Sequence, residues 1–214
     1  MSDRHIKVIS FDLHETLATP DFVLAVWYEG VPHAYSTRQN LAFEAAKSAV
    51  FDQYRTVTED QREYYDLNYW SERLKLGGYH AAIEFCKHKI AHYPEVKEVL
   101  ESLSRKYPLI ISSSMPREFI PPIVEGIEKY FTKIFSSFSD CLQFKTADFY
   151  RIVLKEMKIE PSEMLHVGND WIKDYIIPCE VGINCLHLDR KSQPGYCTIT
   201  DLRQLEERIE RLNR

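Results

Sequence analysis

The segment VISFDLHETL, residues 8–17, places an acidic residue at the end of an apolar run. The run has strand character, and Asp12 is the first charged residue after it. A carboxylate at the end of a buried strand is a common way to present a nucleophile. His14 follows two positions later, and imidazole is the side-chain group that most often transfers protons near neutral pH. We therefore predict a nucleophile at Asp12 and a candidate acid–base group at His14.

The elements that must position these residues alternate along the chain. Strand-like runs occur at five places: IKVISFD (6–12), PLIISSS (108–114), TKIFSSF (132–138), EMLHVG (163–168) and INCLHL (183–188). Segments with apolar residues at helical spacing separate the later runs and follow the last one. This alternation predicts an α/β fold, in which helices cover both faces of a parallel sheet and give three layers.

Polar residues follow three of the predicted strands. The first strand ends at Asp12, and the second ends at Ser112 and Ser113. Asn169 and Asp170 come directly after the fourth strand. Ligands of α/β sheets bind outside the carboxyl ends of the strands. We therefore expect these five residues to meet at one edge of the sheet.

Residues 20–93 differ in character from the rest of the chain. They contain almost no strand-like run, their apolar residues recur at helical spacing, and they are rich in tyrosine and tryptophan. We predict a core domain formed by residues 1–19 and 94–214. Residues 20–93 are predicted to form an inserted α-helical cap domain above the carboxyl edge of the sheet.

The composition is that of a soluble globular protein. Of 214 residues, 44 % are hydrophobic and 28 % are charged, and no apolar run approaches the roughly 20 residues of a membrane span. The net charge of −5 argues against a nucleic-acid surface, which needs a basic face. The N-terminal segment lacks the features of a secretory signal, and five cysteines without a C-x-x-C pair fit reduced thiols. We expect a cytoplasmic protein that binds neither nucleic acid nor membrane, and the sequence leaves open whether it forms a homodimer.

Four segments, in this order, resemble those of haloacid dehalogenase (HAD) superfamily hydrolases with an inserted helical cap. They are FDLHETL (11–17), LIISSS (109–114), IFSSFSDCLQFKTADFYRIVL (134–154) and HVGNDWIKD (166–174). The resemblance covers residues 6–19 and 94–190, whereas the cap matches only in position and helical character. It implies a Rossmann-like core, with substrate selection mainly by the cap.

The resemblance also implies a reaction. In this family an aspartate attacks phosphorus, so Asp12 would form an aspartyl phosphate that water then hydrolyses. Lys145 stands at the family's lysine position and would neutralise charge on the phosphoryl group, although Thr146 replaces the usual following proline. Ser112 or Ser113 would donate a hydrogen bond to a phosphoryl oxygen. The implied substrate is a small phosphorylated metabolite.

A Mg²⁺ cofactor is implied in the same way. The family's metal binds the nucleophile, the main-chain carbonyl two residues later and an acid after the fourth strand. These ligands correspond here to Asp12, the His14 carbonyl and Asp170, with Asp174 behind them. Many relatives carry the acid at the position of Asn169, so the third ligand is either Asp170 or the amide oxygen of Asn169.

Two departures from the family pattern bear on activity. His14 stands where a second aspartate usually protonates the leaving group and then activates water. It therefore either takes over this proton transfer or marks a disabled site. His14 and Asn169 together remove two negative charges from the site, which predicts weaker metal binding.

Three functions are open on the sequence. The first is a Mg²⁺-dependent phosphatase of the HAD superfamily. The second is a 2-haloacid dehalogenase, in which Asp12 would displace halide from carbon without a metal. The third is a non-catalytic binding or regulatory protein that retains the fold. Phosphate release that needs Mg²⁺ would indicate the phosphatase, and halide release without Mg²⁺ would indicate the dehalogenase. Release of neither product would indicate the non-catalytic protein.

Overall fold

The computed structural model of the protein describes residues 5–213, and its strands form one six-stranded sheet. Residues 1–4 and 214, which the predicted core domain includes, lie outside the described residues. The strands are β1 Val8–Phe11, β2 Leu109–Ser113, β3 Phe131–Ser136, β4 Met164–Gly168, β5 Asn184–Leu188 and β6 Thr198–Ile199. All neighbouring strands are parallel, which confirms the predicted α/β fold.

The sheet reverses its strand order at β1. The order across the sheet is β3-β2-β1-β4-β5-β6, so the chain extends the sheet first on one side of β1 and then on the other. All four residues of β1 are buried, as expected for a strand covered on both faces. Phe11, the last residue of β1, pairs with Ile111 of β2 and Val167 of β4, so the carboxyl ends of the three strands lie within two residues of one another. Ligand sites of α/β sheets form at such a reversal.

Helices connect the strands and make up most of the long segment between β1 and β2. They are α1 Asp21–Ala25, α2 Val31–Gln39, α3 Phe43–Tyr54, α4 Leu67–Arg73, α5 His80–Cys86, α6 Val96–Ser104, α7 Ile120–Val124, α8 Ser137–Asp140, α9 Ala147–Met157, α10 Ile177–Val181 and α11 Leu205–Leu212. Two segments, Val26–Gly30 and Trp171–Ile176, are π-helical turns. Over residues 5–213, every helix is too short or too polar to cross a lipid bilayer.

The chain divides into two compact units. The core unit comprises the described residues of Met1–Ala18, His92–Met115 and Val124–Arg214, and it contains the sheet. The helical unit comprises Thr19–Ala91 and Pro116–Ile123. Residues 116–123 thus group with the helical unit, whereas the sequence-based division placed them in the core domain. That segment carries no break in composition by which the sequence could separate it from its neighbours.

The helical unit is held together by close helix contacts and aromatic packing. A Cβ atom at Gly30 would lie 2.5 Å from the Ala82 carbonyl oxygen, so the glycine allows the π-helical turn to approach α5 closely. Trp70 is 1 % exposed, and its ring packs edge-on against Tyr54 at 4.7 Å between centroids. Trp27 lies 6.0 Å from Tyr54 in the same manner. These aromatic residues stabilise the unit from inside.

Two predicted helices differ from the structure, and one strand was not predicted. The sequence EFIPPIVEGIEKYF (118–131) predicts one helix, but α7 ends at Val124 and Gly126 adopts a φ of 84°. The sequence DWIKDYIIPCEVG (170–182) predicts an α-helix, but this segment begins as a π-helical turn. Strand β6 was not predicted, since two residues are too few to show the alternation of a strand.

Candidate active site

Lys145 lies between two aspartates at the carboxyl edge of the sheet. Its Nζ atom is 2.6 Å from Oδ1 of Asp12 and 2.5 Å from Oδ1 of Asp174. The Lys145, Asp12 and Asp174 side chains are 1 %, 8 % and 2 % exposed, so these charges are shielded from solvent. Buried charges are retained in proteins when they are paired and hydrogen-bonded. The structure thus brings together three residues that the sequence singled out.

Each of the three charged residues is held by the end of an element. Asp12 follows β1, and its backbone N–H donates to the Val167 carbonyl of β4 at 2.8 Å. Lys145 directly precedes Thr146, whose hydroxyl caps the first turn of α9. Asp174 lies in the π-helical turn that follows β4. The positions of the charges are therefore set by strand pairing and by two helix starts.

Asp174 uses both of its carboxylate oxygens inside the protein. Besides the contact with Lys145, Oδ1 lies 3.2 Å from Nε2 of His166, and Oδ2 accepts from the Asp170 backbone N–H at 3.0 Å. Burial by itself would raise the pKa of Asp174, but Lys145 and His166 outweigh it and hold the pKa well below its usual range. Asp174 is thus an ionised group that fixes Lys145.

The ionisation of Asp12 differs from that of Asp174. Burial raises the pKa of Asp12, although Lys145 opposes the rise, and the nearby Asp174 adds to it. Burial also lowers the pKa of His166, although its contact with Asp174 opposes the fall. The buried cluster holds the two carboxylates on either side of one lysine, and a further cation near Asp12 would favour its ionised form.

The Thr16 hydroxyl joins Asp12 to Asn169. Thr16 Oγ1 lies 3.3 Å from Oδ2 of Asp12 and 3.2 Å from Oδ1 of Asn169, and the threonine is fully buried. Oδ2 of Asp12 is the oxygen that Lys145 does not bond. A carboxylate oxygen and an amide oxygen therefore converge on one point.

Both carboxylate oxygens of Asp170 contact residues of the turn that it begins. Its Oδ1 accepts from the backbone N–H groups of Ile172 and Lys173 at 3.0 and 2.9 Å, and its Oδ2 lies 2.9 Å from Nζ of Lys173. Burial would raise the pKa of Asp170, but these donors lower it. Of the two candidates for the third metal ligand, Asn169 is the one that shares a contact with Asp12.

The oxygens near Asp12 fit a magnesium ion in their chemistry. Mg²⁺ binds hard oxygen ligands, takes one or two carboxylates and retains several waters. Asp12 and Asn169 offer a carboxylate and an amide oxygen, and the cluster carries excess negative charge. Across residues 5–213, no three histidine, cysteine, aspartate or glutamate side chains surround a common metal position. A bound Mg²⁺ would therefore rely on amide, main-chain and water oxygens as well.

His14 is half-buried in the loop after β1. Its Nδ1 atom is 3.8 Å from Oε2 of Glu15, whereas its Nε2 atom is inaccessible to solvent and has no hydrogen-bond partner within the described part of the chain. Buried polar atoms nearly always have a partner, so an unpartnered ring nitrogen is unusual and marks His14 as a candidate functional group. The next residue, Glu15, has a left-handed backbone conformation, with a φ of 58°.

The two serines predicted to bind the phosphoryl group have different partners. Ser112 Oγ accepts from Ser10 Oγ at 2.8 Å, and Ser10 Oγ lies 2.9 Å from Nδ1 of His166. Ser112 is therefore part of a buried network. Ser113 Oγ accepts from the Met115 N–H at 3.2 Å, so each serine accepts in these contacts and keeps its own proton. The two differ in that Ser113 lies outside the network of Ser10 and His166, and we therefore take Ser113 as the candidate donor to a ligand.

Five further residues hold the site although the sequence pattern did not assign them this role: Ser10, Thr16, Tyr150, His166 and Arg190. The Tyr150 hydroxyl donates to the Lys173 carbonyl at 2.8 Å and lies 3.0 Å from Nε2 of His166. Ser10 could have been found, because strand alternation places it on the same face as Asp12. The others depend on contacts between distant segments.

Comparisons with known proteins bear on the family and the fold of this chain. A family model described as haloacid dehalogenase-like hydrolase matches residues 6–176. A search of curated proteins found no match. Among solved structures, a HAD phosphatase from Thermococcus onnurineus is 21 % identical with a TM-score of 0.77, over 95 % of this chain and 98 % of that one.

Other solved structures of the same fold have different descriptions. A putative HAD hydrolase from Bacillus subtilis, bound to magnesium, is 16 % identical with a TM-score of 0.65, over 96 % of this chain and 99 % of that one. A 2-haloacid dehalogenase from Pseudomonas syringae is 17 % identical with a TM-score of 0.70, over the same shares. At these identities the likeness establishes the fold, which both kinds of hydrolase share.

Proposed function

The chain belongs to the haloacid dehalogenase-like hydrolase family, and we propose that it is a magnesium-dependent phosphatase acting on a small phosphorylated metabolite. The observation that supports this most strongly is the buried Lys145 bridging Asp12 and Asp174. Phosphoryl transfer needs little covalent help but does need positive charge fixed near the reacting group. A lysine held 2.6 Å from the nucleophile meets that need.

In the proposed reaction Asp12 is the nucleophile. A carboxylate oxygen attacks phosphorus while the bond from phosphorus to the leaving oxygen breaks, which gives an aspartyl phosphate. Water then attacks phosphorus and the bond to Asp12 breaks, so inorganic phosphate is released and the carboxylate restored. Ser113 would donate a hydrogen bond to the phosphoryl group, with Lys145 as the cation beside it.

His14 is proposed to give a proton to the leaving oxygen. The proposal rests on its place two residues after Asp12 and on the orphaned Nε2 atom. An imidazole at this place could also take a proton from the water that attacks in the second step. The alternative, an inert replacement in a disabled site, predicts no loss of rate when the ring is removed.

In this proposal Asp12, Asn169 and the His14 carbonyl would hold Mg²⁺. The ion would supply positive charge at the phosphoryl oxygens. Asp170 and Asp174 were also candidate ligands on the sequence, but their contacts suit supporting roles. Asp170 caps the turn after β4, and Asp174 holds Lys145.

A 2-haloacid dehalogenase is the second candidate function. One observation favours it: His14 stands where a phosphatase usually has an acid, so the loop after Asp12 offers one carboxylate fewer to a metal. In that reaction Asp12 would displace halide from carbon, and water would hydrolyse the resulting ester. Lys145 would then orient the nucleophile, and no metal would be needed.

The proposed setting is the cytoplasm, with neither nucleic acid nor membrane as a partner. The net charge of −5 supports the absence of nucleic acid and membrane partners, since polyanionic surfaces are bound by basic faces. A homodimer is not part of the proposal, and light scattering of the purified chain would measure its oligomeric state.

The test is phosphate release from a panel of phosphorylated metabolites, with Mg²⁺ and with a chelator. Wild type is compared with Asp12→Asn and with Asp52→Asn, a matched change at an exposed aspartate on α3. Halide release from 2-haloacids is measured on the same proteins. Thermal melts establish that each variant is folded.

Phosphate release that requires Mg²⁺, disappears in Asp12→Asn and persists in Asp52→Asn would support the phosphatase. Halide release that persists in chelator and depends on Asp12 would replace it with the dehalogenase. If the folded wild type releases neither product, the non-catalytic alternative from the sequence takes their place.

A further inference from the structure

Arg190 connects three separate segments of the core unit. It follows β5, and its Nη1 atom is 2.6 Å from Oε1 of Glu95. Its Nη2 atom donates to the Thr16 carbonyl at 3.0 Å. The guanidinium carbon lies 3.6 Å from the centroid of the Tyr93 ring, within the range of a cation–π contact. A single side chain thus makes three different contacts.

The chemistry of these contacts calls for arginine. The Glu95 side chain is 3 % exposed and that of Arg190 is 20 % exposed, so the carboxylate has little water to solvate it and needs a fixed partner. A guanidinium carries its charge and several N–H donors in one rigid plane, so it can form an ion pair with Glu95, donate to the Thr16 carbonyl and lie against the Tyr93 ring at once. The ammonium of a lysine is a compact charge and cannot reproduce this arrangement.

Thr16 links Arg190 to the nucleophile. Its carbonyl oxygen accepts from Arg190, while its hydroxyl contacts Oδ2 of Asp12 and Oδ1 of Asn169. The next residue, Leu17, accepts a backbone hydrogen bond from the Tyr93 N–H at 3.1 Å. The loop after β1 is thus fixed at the carbonyls of two adjacent residues, Thr16 and Leu17. The Asp12 carboxylate is contacted by a different group of Thr16, its hydroxyl.

We propose that Arg190 is a positioning residue for Asp12 and Asn169. By holding the Thr16 carbonyl, it fixes the threonine so that its hydroxyl keeps the carboxylate and amide oxygens at one point. The inference rests on the proposed function for the nucleophilic role of Asp12. Its structural part, that Arg190 fixes the loop, can be tested without any substrate.

A purely structural role for Arg190 makes a different prediction. In that case the residue matters only because it neutralises the buried Glu95, and activity would follow stability. The two roles separate when both charges are removed together, because well-packed apolar residues often replace a buried ion pair without loss of stability. Such a double variant restores stability but lacks the bond to Thr16.

The experiment compares Arg190→Met, Arg190→Met/Glu95→Met and Arg151→Met. Arg151 is an exposed arginine on α9 that pairs with Asp148, so it controls for the change of residue type. Thermal unfolding, amide hydrogen exchange over residues 13–18, and kcat and KM for the best phosphorylated substrate are measured on each. We expect Arg190→Met to lower the unfolding midpoint by about 10 °C.

In the double variant we expect the unfolding midpoint to return close to that of wild type. Amide exchange over residues 13–18 should stay at least about tenfold faster, and kcat should stay about tenfold lower at nearly unchanged KM, because the nucleophile and not the substrate is misplaced. Arg151→Met should match wild type in every measurement.

Wild-type exchange over residues 13–18 in the stable double variant would overturn the inference, whether or not the protein is a phosphatase. Recovery of kcat together with stability would also overturn it and leave only a structural ion pair. If exchange is faster but no phosphorylated substrate is turned over by wild type, the proposed function fails while the fixing of the loop by Arg190 stands.

Discussion

A Cβ atom at Gly168 would lie 2.4 Å from Cγ of Asp174. This distance is too short for any side chain at position 168. Glycine at the end of β4 therefore leaves the space in which the Asp174 carboxylate lies when it contacts Lys145. The reason for the glycine is space, not backbone freedom, because it is the side chain of Asp174 that occupies the position.

Gly168→Ala should therefore displace Asp174 and lower both stability and activity. We expect a loss of about 1–3 kcal/mol in the free energy of unfolding, typical of an overpacked site, and a fall in kcat because Lys145 loses a partner. Gly195→Ala is the matched control, since its Cβ would meet nothing closer than 3.8 Å. Chemical denaturation of both variants measures the difference, and equal effects would contradict the crowding argument.

Asp12 and Asp174 should have opposite effects on stability when each is made neutral. Asp12→Asn leaves Lys145 paired with one carboxylate, so we expect a higher unfolding midpoint in chelator at neutral pH. Asp174→Asn removes the partner of Lys145, His166 and the Asp170 N–H, and should cost about 3 kcal/mol. If the unfolding midpoint moves in the same direction in both variants, the cluster does not carry the excess negative charge that we assign to it.

Glu15→Gly should stabilise the protein. Glu15 has a φ of 58°, a conformation that costs a residue with a side chain about 1 kcal/mol relative to glycine. Its carboxylate is 48 % exposed and only 3.8 Å from His14 at best, so its loss matters little. Lys158→Gly, at a φ of 56° after α9, is the control of like geometry, and urea unfolding should show a similar gain in both.

His14→Ala should slow the hydrolysis of alkyl phosphates far more than that of p-nitrophenyl phosphate. An alkoxide leaving group needs a proton, whereas nitrophenolate leaves without one, so loss of a general acid should cost about 10²-fold or more for the former only. His88→Ala, at an exposed position, is the control. An equal loss for both substrates would assign His14 a role other than proton transfer.

The fold was predictable because its signals are local. Five of the six strands coincide with apolar runs in the sequence, such as VISF in β1. Helices α6 and α9 bury the apolar residues that recur at helical spacing. β6 pairs with β5 over two residues, which is too short to leave a pattern. The turn at Trp171–Ile176 is π-helical while Asp170 caps it, and helical spacing alone cannot distinguish such a turn from an α-helix.

The candidate site was only partly predictable. Asp12, Lys145 and Asp174 lie in motifs, and the structure brings them together. Thr16 and Arg190 lie 174 positions apart, and nothing in either neighbourhood indicates their contact. Such supporting contacts are set by tertiary packing, so a single sequence carries no pattern for them.

The central position of β1 has a consequence for the order in which the protein forms. Ser10 of β1 contacts His166 of β4 across 156 positions of sequence, so β1 cannot complete its pairing until β4 has been synthesised. Contacts of such long range slow folding, because a large loop must close before they form. The residue that we propose as nucleophile thus leaves the ribosome long before Lys145, which follows it by 133 positions, and must wait for this partner.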